Sequence, residues 1–199
     1  DGQHFTKGAA STAVTGELRL GGSTVVSDLT TNGSGTTTGG VGWAWNASTA
    51  TLTLTGDGSI GDDGTIKFFA TGDITVEVND TVRASTLQHS NADAGKLTLT
   101  GGGTLTLTVG SNTIALWAGA GLTISGPTVS ASTTGSGSDS DAVRVNQGSF
   151  TMTGGKLTAI AAGAGANGIT AEENIAISGT VEVTASGYRG LFAVGDINI

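Results

Sequence analysis

The sequence predicts an all-β chain wound into a single-stranded parallel β-helix, a β-solenoid, with three short strands per coil and about seven to eight rungs. Three observations carry that prediction. The 199 residues include 35 glycines and 34 threonines but one proline, so strong helix formers are scarce and β-branched residues abound. An apolar-x-apolar run returns about every two dozen residues from one end of the chain to the other. No hydrophobic run is long enough for a crossover helix or approaches the eighteen apolar residues of a membrane span. A helical bundle and a doubly wound α/β fold are thereby excluded. Collagen is excluded as well, because the glycines follow no Gly-X-Y period.

The first strand of each coil reads Leu18-Arg-Leu20, Leu52-Thr-Leu54, Ile74-Thr-Val76, Leu97-Thr-Leu99, Leu122-Thr-Ile124, Phe150-Thr-Met152, Ile175-Ala-Ile177 and Ile197-Asn-Ile199. The starts are 34, 22, 23, 25, 28, 25 and 22 residues apart. Alternation of period two places both apolar residues inward and the middle residue outward. Thr53, Thr75, Thr98, Thr123 and Thr151 are therefore expected on the outer surface. The long intervals hold Gly/Ser/Thr insertions near 30–40 and 132–141, which read as loops.

A second strand follows in most coils: Leu105-Thr-Leu107, Val129-Ser-Ala131, Leu157-Thr-Ala159 and Val181-Glu-Val183. A third follows that: Ile66-Lys-Phe68, Ile114-Ala-Leu116, Val143-Arg-Val145, Ile169-Thr-Ala171 and Leu191-Phe-Ala193. One such coil cannot bury its apolar face, but stacked coils share an interior, with parallel strands about 4.8 Å apart. An antiparallel sandwich is the rival. It would require two-residue hairpin turns between neighbouring strands, and most junctions lack them. Residues 1–14 are expected to form an N-terminal extension or cap, and 15–199 the β-helix domain. Only the first strand of a last rung precedes Ile199, so the reading expects either a native chain that continues or two copies meeting end to end.

Eight Lys and Arg against sixteen Asp and Glu give a net charge of −8, with no basic run for nucleic acid or anionic lipid. The absence of cysteine excludes thiol catalysis, cysteine zinc sites and disulfides. No signal peptide is visible at Asp1, and the chain reads as a mature or trimmed fragment. A polar, acidic, Thr/Gly-rich surface suits a secreted or cell-surface protein.

Catalytic groupings are not visible. The one adjacent carboxylate and cation, Asp73 and Lys96, read as an ordinary cross-rung ion pair, and His4 and His89 as surface or turn residues. Asp57, Asp62 and Asp63 put three hard oxygen donors in a glycine-rich turn. This turn is the candidate site for Ca²⁺, the one cofactor the sequence suggests, against the plainer reading of hydrated turn residues. Asp139/Asp141 and Glu172/Glu173 are looser pairs. Exposed rings can stack on the face of a sugar. The candidates are Trp43 and Trp45, which alternatively close the apolar end of the rod, and Phe69 with Trp117, which follow third strands and are expected on one column. The outward threonine row resembles the ladders of ice-binding solenoids, although it is also simply good strand surface.

The segment Gly42-Trp-Ala-Trp-Asn46 leading into TATLTLTG, followed by TGDITVEV, GKLTLTGGGTLTLT, AGLTISGPTVSA and GSFTMTGGKLTA, resembles the Thr/Gly-rich right-handed β-helix domains of surface proteins from Gram-positive gut bacteria. Those domains share the pectate-lyase-type coil and are usually described as carbohydrate-binding or adhesin-like. The resemblance implies a right-handed coil and a non-catalytic extracellular module whose partner is a polysaccharide or surface glycan. The alternatives are a structural stalk within a larger surface protein and a calcium-assisted polysaccharide lyase.

Overall fold

The computed structural model describes residues 14–61, 63–91, 94–110, 112–137 and 140–199. Among them every regular element is a strand, and the strands stack as a β-solenoid of about six turns. The expected 1–14 extension and His4 lie almost wholly outside the described residues, as do Asp62 and Asp139.

Three faces run along the solenoid. The first is built from Thr51–Thr55, Gly72–Val78, Ala94–Thr100, the starts of Leu122–Thr133, Phe150–Ala161 and Ile175–Ser186, and finally Ile197–Asn198. The second comprises Gly58–Ser59, Thr81–Ala84, Thr104–Val109 and the later halves of the same three long strands. The third comprises Thr65–Ala70, Thr86–His89, Leu116–Ala118, Val143–Val145, Ile169–Ala171 and Leu191–Ala193. All of these strands pair in parallel with their counterparts one coil away.

The interior follows the alternation. Ile74, Leu97, Leu122, Phe150 and Ile175 stack in register on the first face, and each is buried. Full burial of such a side chain stabilises the fold by about 1.5–3 kcal/mol. Thr75, Thr98, Thr123 and Thr151 lie between them on the outer surface. In the coil of Ala94–Thr100 and Thr104–Val109, a glycine corner separates the first strand from the second. At Gly101 φ is +94°, and a Cβ there would collide with the carbonyl oxygen of Val78 on the coil below.

Four corrections concern the capped end, the register and the interior. The Leu18 run is not a rung: Gly16–Leu20 lies antiparallel to Thr65–Ala70 on the third face, with Leu18 opposite Phe68. The solenoid therefore has fewer turns than the seven to eight expected. The insertion near 30–40 contains a strand, Gly33–Thr36, which pairs antiparallel with Gly42–Asn46, and that in turn with Thr51–Thr55. These hairpins occupy an edge that would otherwise offer unpaired backbone groups. Next, Leu52 aligns with Val76 rather than Ile74, a slip of two residues. Thr51, not Thr53, therefore continues the threonine row, and the Thr53 hydroxyl donates to Glu77 Oε2 at 3.1 Å.

The fourth correction is His89, expected at the surface but fully buried in the interior. It stands edge-on to Phe68, with ring centroids 6.0 Å apart, and its Nε2 lies 2.9 Å from the Gly72 carbonyl oxygen. Its Nδ1 is buried and has no hydrogen-bond partner among the described residues. Burial lowers the His89 pKa, outweighing the opposing effects of the Gly72 carbonyl and the nearby Asp73 charge. The unfolded chain thus binds the proton more readily than the folded one. Stability is full above the unfolded value of about 6.5 and declines as pH falls through it towards the lower folded value. Urea unfolding between pH 7.5 and pH 5 should show this decline in the native protein, and His89→Leu should flatten it. An identical slope in both would assign the decline elsewhere.

Candidate functional site

The third face carries the most varied outward chemistry. The middle positions of its strands, aligned from coil to coil, are Lys67, Gln88, Trp117, Arg144, Thr170 and Phe192, of which Thr170 is buried. The antiparallel cap strand widens this face by placing Arg19 opposite Lys67 and Glu17 opposite Phe69. A groove of 540 Å³ opens here, lined among others by Arg19, Asp63, Lys67, Phe69, Thr86 and Gln88. Two cations lie over the Phe69 ring, the Arg19 guanidinium 4.7 Å and the Lys67 ammonium 4.5 Å from its centroid. Arg19 is also held by Glu17, with Nη2 2.6 Å from Oε1. The Thr86 hydroxyl, in the groove wall, has no hydrogen-bond partner among the described residues.

Phe69 and Trp117 do share this face two coils apart, but not one column. Trp117 is the central residue of Leu116–Ala118 and aligns with Lys67 through Gln88, whereas Phe69 sits two residues further along its strand. The alternation predicts Ile114-Ala-Leu116 as the strand, and the structure moves it by two residues. The paired strand begins at Leu116, and Ile114 and Ala115 are both buried ahead of it. Strand spacings put the two rings on a diagonal of about 12 Å. Trp117 is half-buried, and its indole N–H has no partner among the described residues.

Trp43 and Trp45 stand apart from this face. Trp45 is 2% exposed and its indole N–H donates to the Leu29 carbonyl at 2.9 Å, while Trp43 is 9% exposed and packs beside Gly33 and Gly35. They belong to the core at the capped end, and neither presents a ring face for stacking.

The acidic residues hold turns. Thr81 N–H donates to Asp57 Oδ1 at 2.9 Å, and this bond holds the Asp57 carboxyl below the usual carboxylate value. Thr65 N–H donates to Asp63 Oδ1 at 2.8 Å, within the same strand entry. Among the described residues, no three His, Cys, Asp or Glu side chains gather as a metal site. Asp141, of the pair with Asp139, is fully buried between Arg144 Nε, 2.9 Å away, and the Asn167 N–H, 2.6 Å away. Glu173 accepts from the Ser149 hydroxyl at 3.1 Å. Asp73 meets Lys96 through the backbone: the Lys96 N–H donates to Asp73 Oδ1 at 2.8 Å.

Sequence reasoning missed Arg19, Lys67 and Gln88 as neighbours. Lys67 was legible as an outward middle residue. Gln88 was hidden because the Leu87-Gln-His89 run has a polar residue at its inner position. Arg19 was assigned to the wrong face along with the rest of its strand. Fold and site together define an all-β solenoid with one face carrying cations, amides and aromatic rings. The chain matches no family model, no curated protein and no solved structure.

Proposed function

We propose that this chain is a non-catalytic extracellular module, adhesin-like in character, that binds a polysaccharide or surface glycan along its third face. The observation that carries the reading is the 540 Å³ groove beside Phe69, continued along the solenoid by Gln88 and Trp117. An extended face with one outward residue every 4.8 Å or so suits a linear polymer better than a compact small molecule. Lys67 and Gln88 supply donors for sugar oxygens, and the exposed part of Trp117 supplies an apolar surface for sugar C–H groups. The resemblance to Thr/Gly-rich β-helix surface domains supports the same reading, and so does the acidic, cysteine-free composition for an extracellular location.

The test is binding to an array of microbial, plant and animal glycans, followed by titration of the best ligand. Lys67→Ala should weaken that binding at least tenfold with an unchanged melting temperature, because the Lys67 side chain lies on the surface of the groove. Trp117→Ala should weaken it similarly. A silent array would overturn the proposal and leave the stalk as the better reading. Binding that survives both substitutions would move the site to another face.

A further inference from the structure

The chain carries a net charge of −8, yet its groove brings two cations together. Arg19 and Lys67 lie directly opposite one another on antiparallel strands, with Cα atoms about 4.5–5.5 Å apart. Their inward neighbours Leu18, Leu20, Ile66 and Phe68 are buried, so both charged side chains point out from the same surface. Like charges at directly opposite positions destabilise a sheet. Arg19 is compensated by Glu17, which both its Nε and its Nη2 reach. Lys67 is not. Among the described residues no carboxylate forms an ion pair with it, and its ammonium rests over the Phe69 ring. Asp63 also lines the groove but is engaged at its edge, where its Oδ1 accepts from the Thr65 N–H and its carboxylate fills the space beside Gly22.

The groove wall holds a second unsatisfied group. Thr86 is 5% exposed, and its hydroxyl has no hydrogen-bond partner among the described residues. A buried hydroxyl left alone costs stability, and a ligand oxygen within reach removes that cost. Gln88, one strand beyond Lys67, adds two amide N–H donors. None of the middle positions of the third-face strands is acidic, whereas Glu77 stands on the first face and Glu182 on the second. Donors and positive charge are thus gathered at one place on an acidic molecule.

We infer, resting on the glycan reading above, that the polymer bound here is an acidic one, with a carboxylate or sulfate group seated between Arg19 and Lys67. An anion there turns one repulsive pair into two attractive contacts, and hydrogen bonds from guanidinium and ammonium to an anion are stronger than neutral ones. A neutral sugar leaves the repulsion in place. The protein as a whole repels polyanions, so the preference comes from this site rather than from general attraction. Further along the row, Gln88 and Trp117 meet uncharged parts of the polymer, and Arg144 is already held by the buried Asp141 carboxylate. Recognition of charge is therefore concentrated beside the cap strand. It is direct, from side-chain cation to ligand anion, and needs no bridging metal.

The glycan array is extended with dextran, carboxymethyl dextran and dextran sulfate, which share one backbone and separate carboxylate from sulfate. At least one charged form should bind about tenfold or more tighter than dextran, with the advantage shrinking as salt rises and unchanged in chelator. Lys67→Gln should reduce the advantage to about twofold or less, and Lys67→Arg should retain it. Lys156→Gln, on the second face, should retain it too. Thr86→Val keeps the shape and removes the hydroxyl, so it should bind the charged dextran about threefold more weakly while melting no lower than the native chain. No preference among the dextrans overturns the inference, and neutral glycans that still bind on the array leave the glycan reading standing without it. Silence across the whole array, charged dextrans included, removes both. A preference that survives Lys67→Gln, or that chelator abolishes, overturns the seat between Arg19 and Lys67, and unweakened binding in Thr86→Val takes Thr86 out of it.

Discussion

Replacing Phe150 with Ala is expected to lower unfolding free energy by about 3–5 kcal/mol, the range for removing a fully buried aromatic ring. Phe150 is 0% exposed and stacks between Leu122 on one coil and Ile175 on the next, so its ring contributes to two interfaces between coils. In a solenoid each coil touches only its neighbours, and stability is close to a sum of coil and interface terms. The loss should therefore also weaken the coupling between the two halves of the rod. Urea unfolding followed by circular dichroism and by tryptophan fluorescence measures both effects. The three tryptophans, at 43, 45 and 117, all precede the substitution, so their transition should shift less than the circular dichroism transition. Thr151→Ala, one residue away on the outer surface, should change stability by no more than about 0.5 kcal/mol. A Phe150→Ala protein as stable as the native one would mean that the interior is not packed as described.

Gly101→Ala is expected to cost about 3 kcal/mol or more, although it adds a single methyl group. Two effects combine. The backbone at φ +94° is one that an alanine rarely adopts, and the new Cβ would collide with the Val78 carbonyl oxygen, a backbone atom that cannot step aside. The neighbouring residue is the control. A Cβ on Gly102 meets nothing within 4 Å and its φ is not positive, so Gly102→Ala should leave stability within about 0.5 kcal/mol of the native value. Thermal melts of the two variants side by side test the pair. Equal melting temperatures would remove the steric account of why glycine occupies this corner.

The inward ladder was legible in the sequence because burial on one face requires alternation, and a slip of one residue would have turned Leu97 outward and Thr98 inward. Slips of two residues leave every side chain on the same face. The pattern is blind to them, and that is where the reading went astray: Leu52 beside Val76, and the strand at Leu116 rather than Ile114. Alternation is equally blind to strand direction, so the Leu18 run looked like any other rung although it runs antiparallel. His89 was missed for a different reason. A polar residue at an inner position breaks the apolar pattern, and only the packed neighbours Phe68 and Gly72 show that the fold accommodates it. The groove beside Phe69 depends on two of these features at once, the direction of the cap strand and the alignment of Gln88 with Lys67, and so could not be assembled from spacing alone.

The antiparallel union of Gly16–Leu20 with Thr65–Ala70 has a consequence for the order in which the protein can be made. A parallel coil waits only for the turn that follows it, but Leu18 must wait for Phe68, about fifty residues later. At roughly 5–20 residues per second of synthesis, that interval is on the order of 3–10 s. Throughout it, Gly16–Leu20 has only its hairpin neighbour Ser23–Val26 to pair with. Gly16–Leu20 is therefore added to a coil that must already exist, so this segment is not the one that starts the fold.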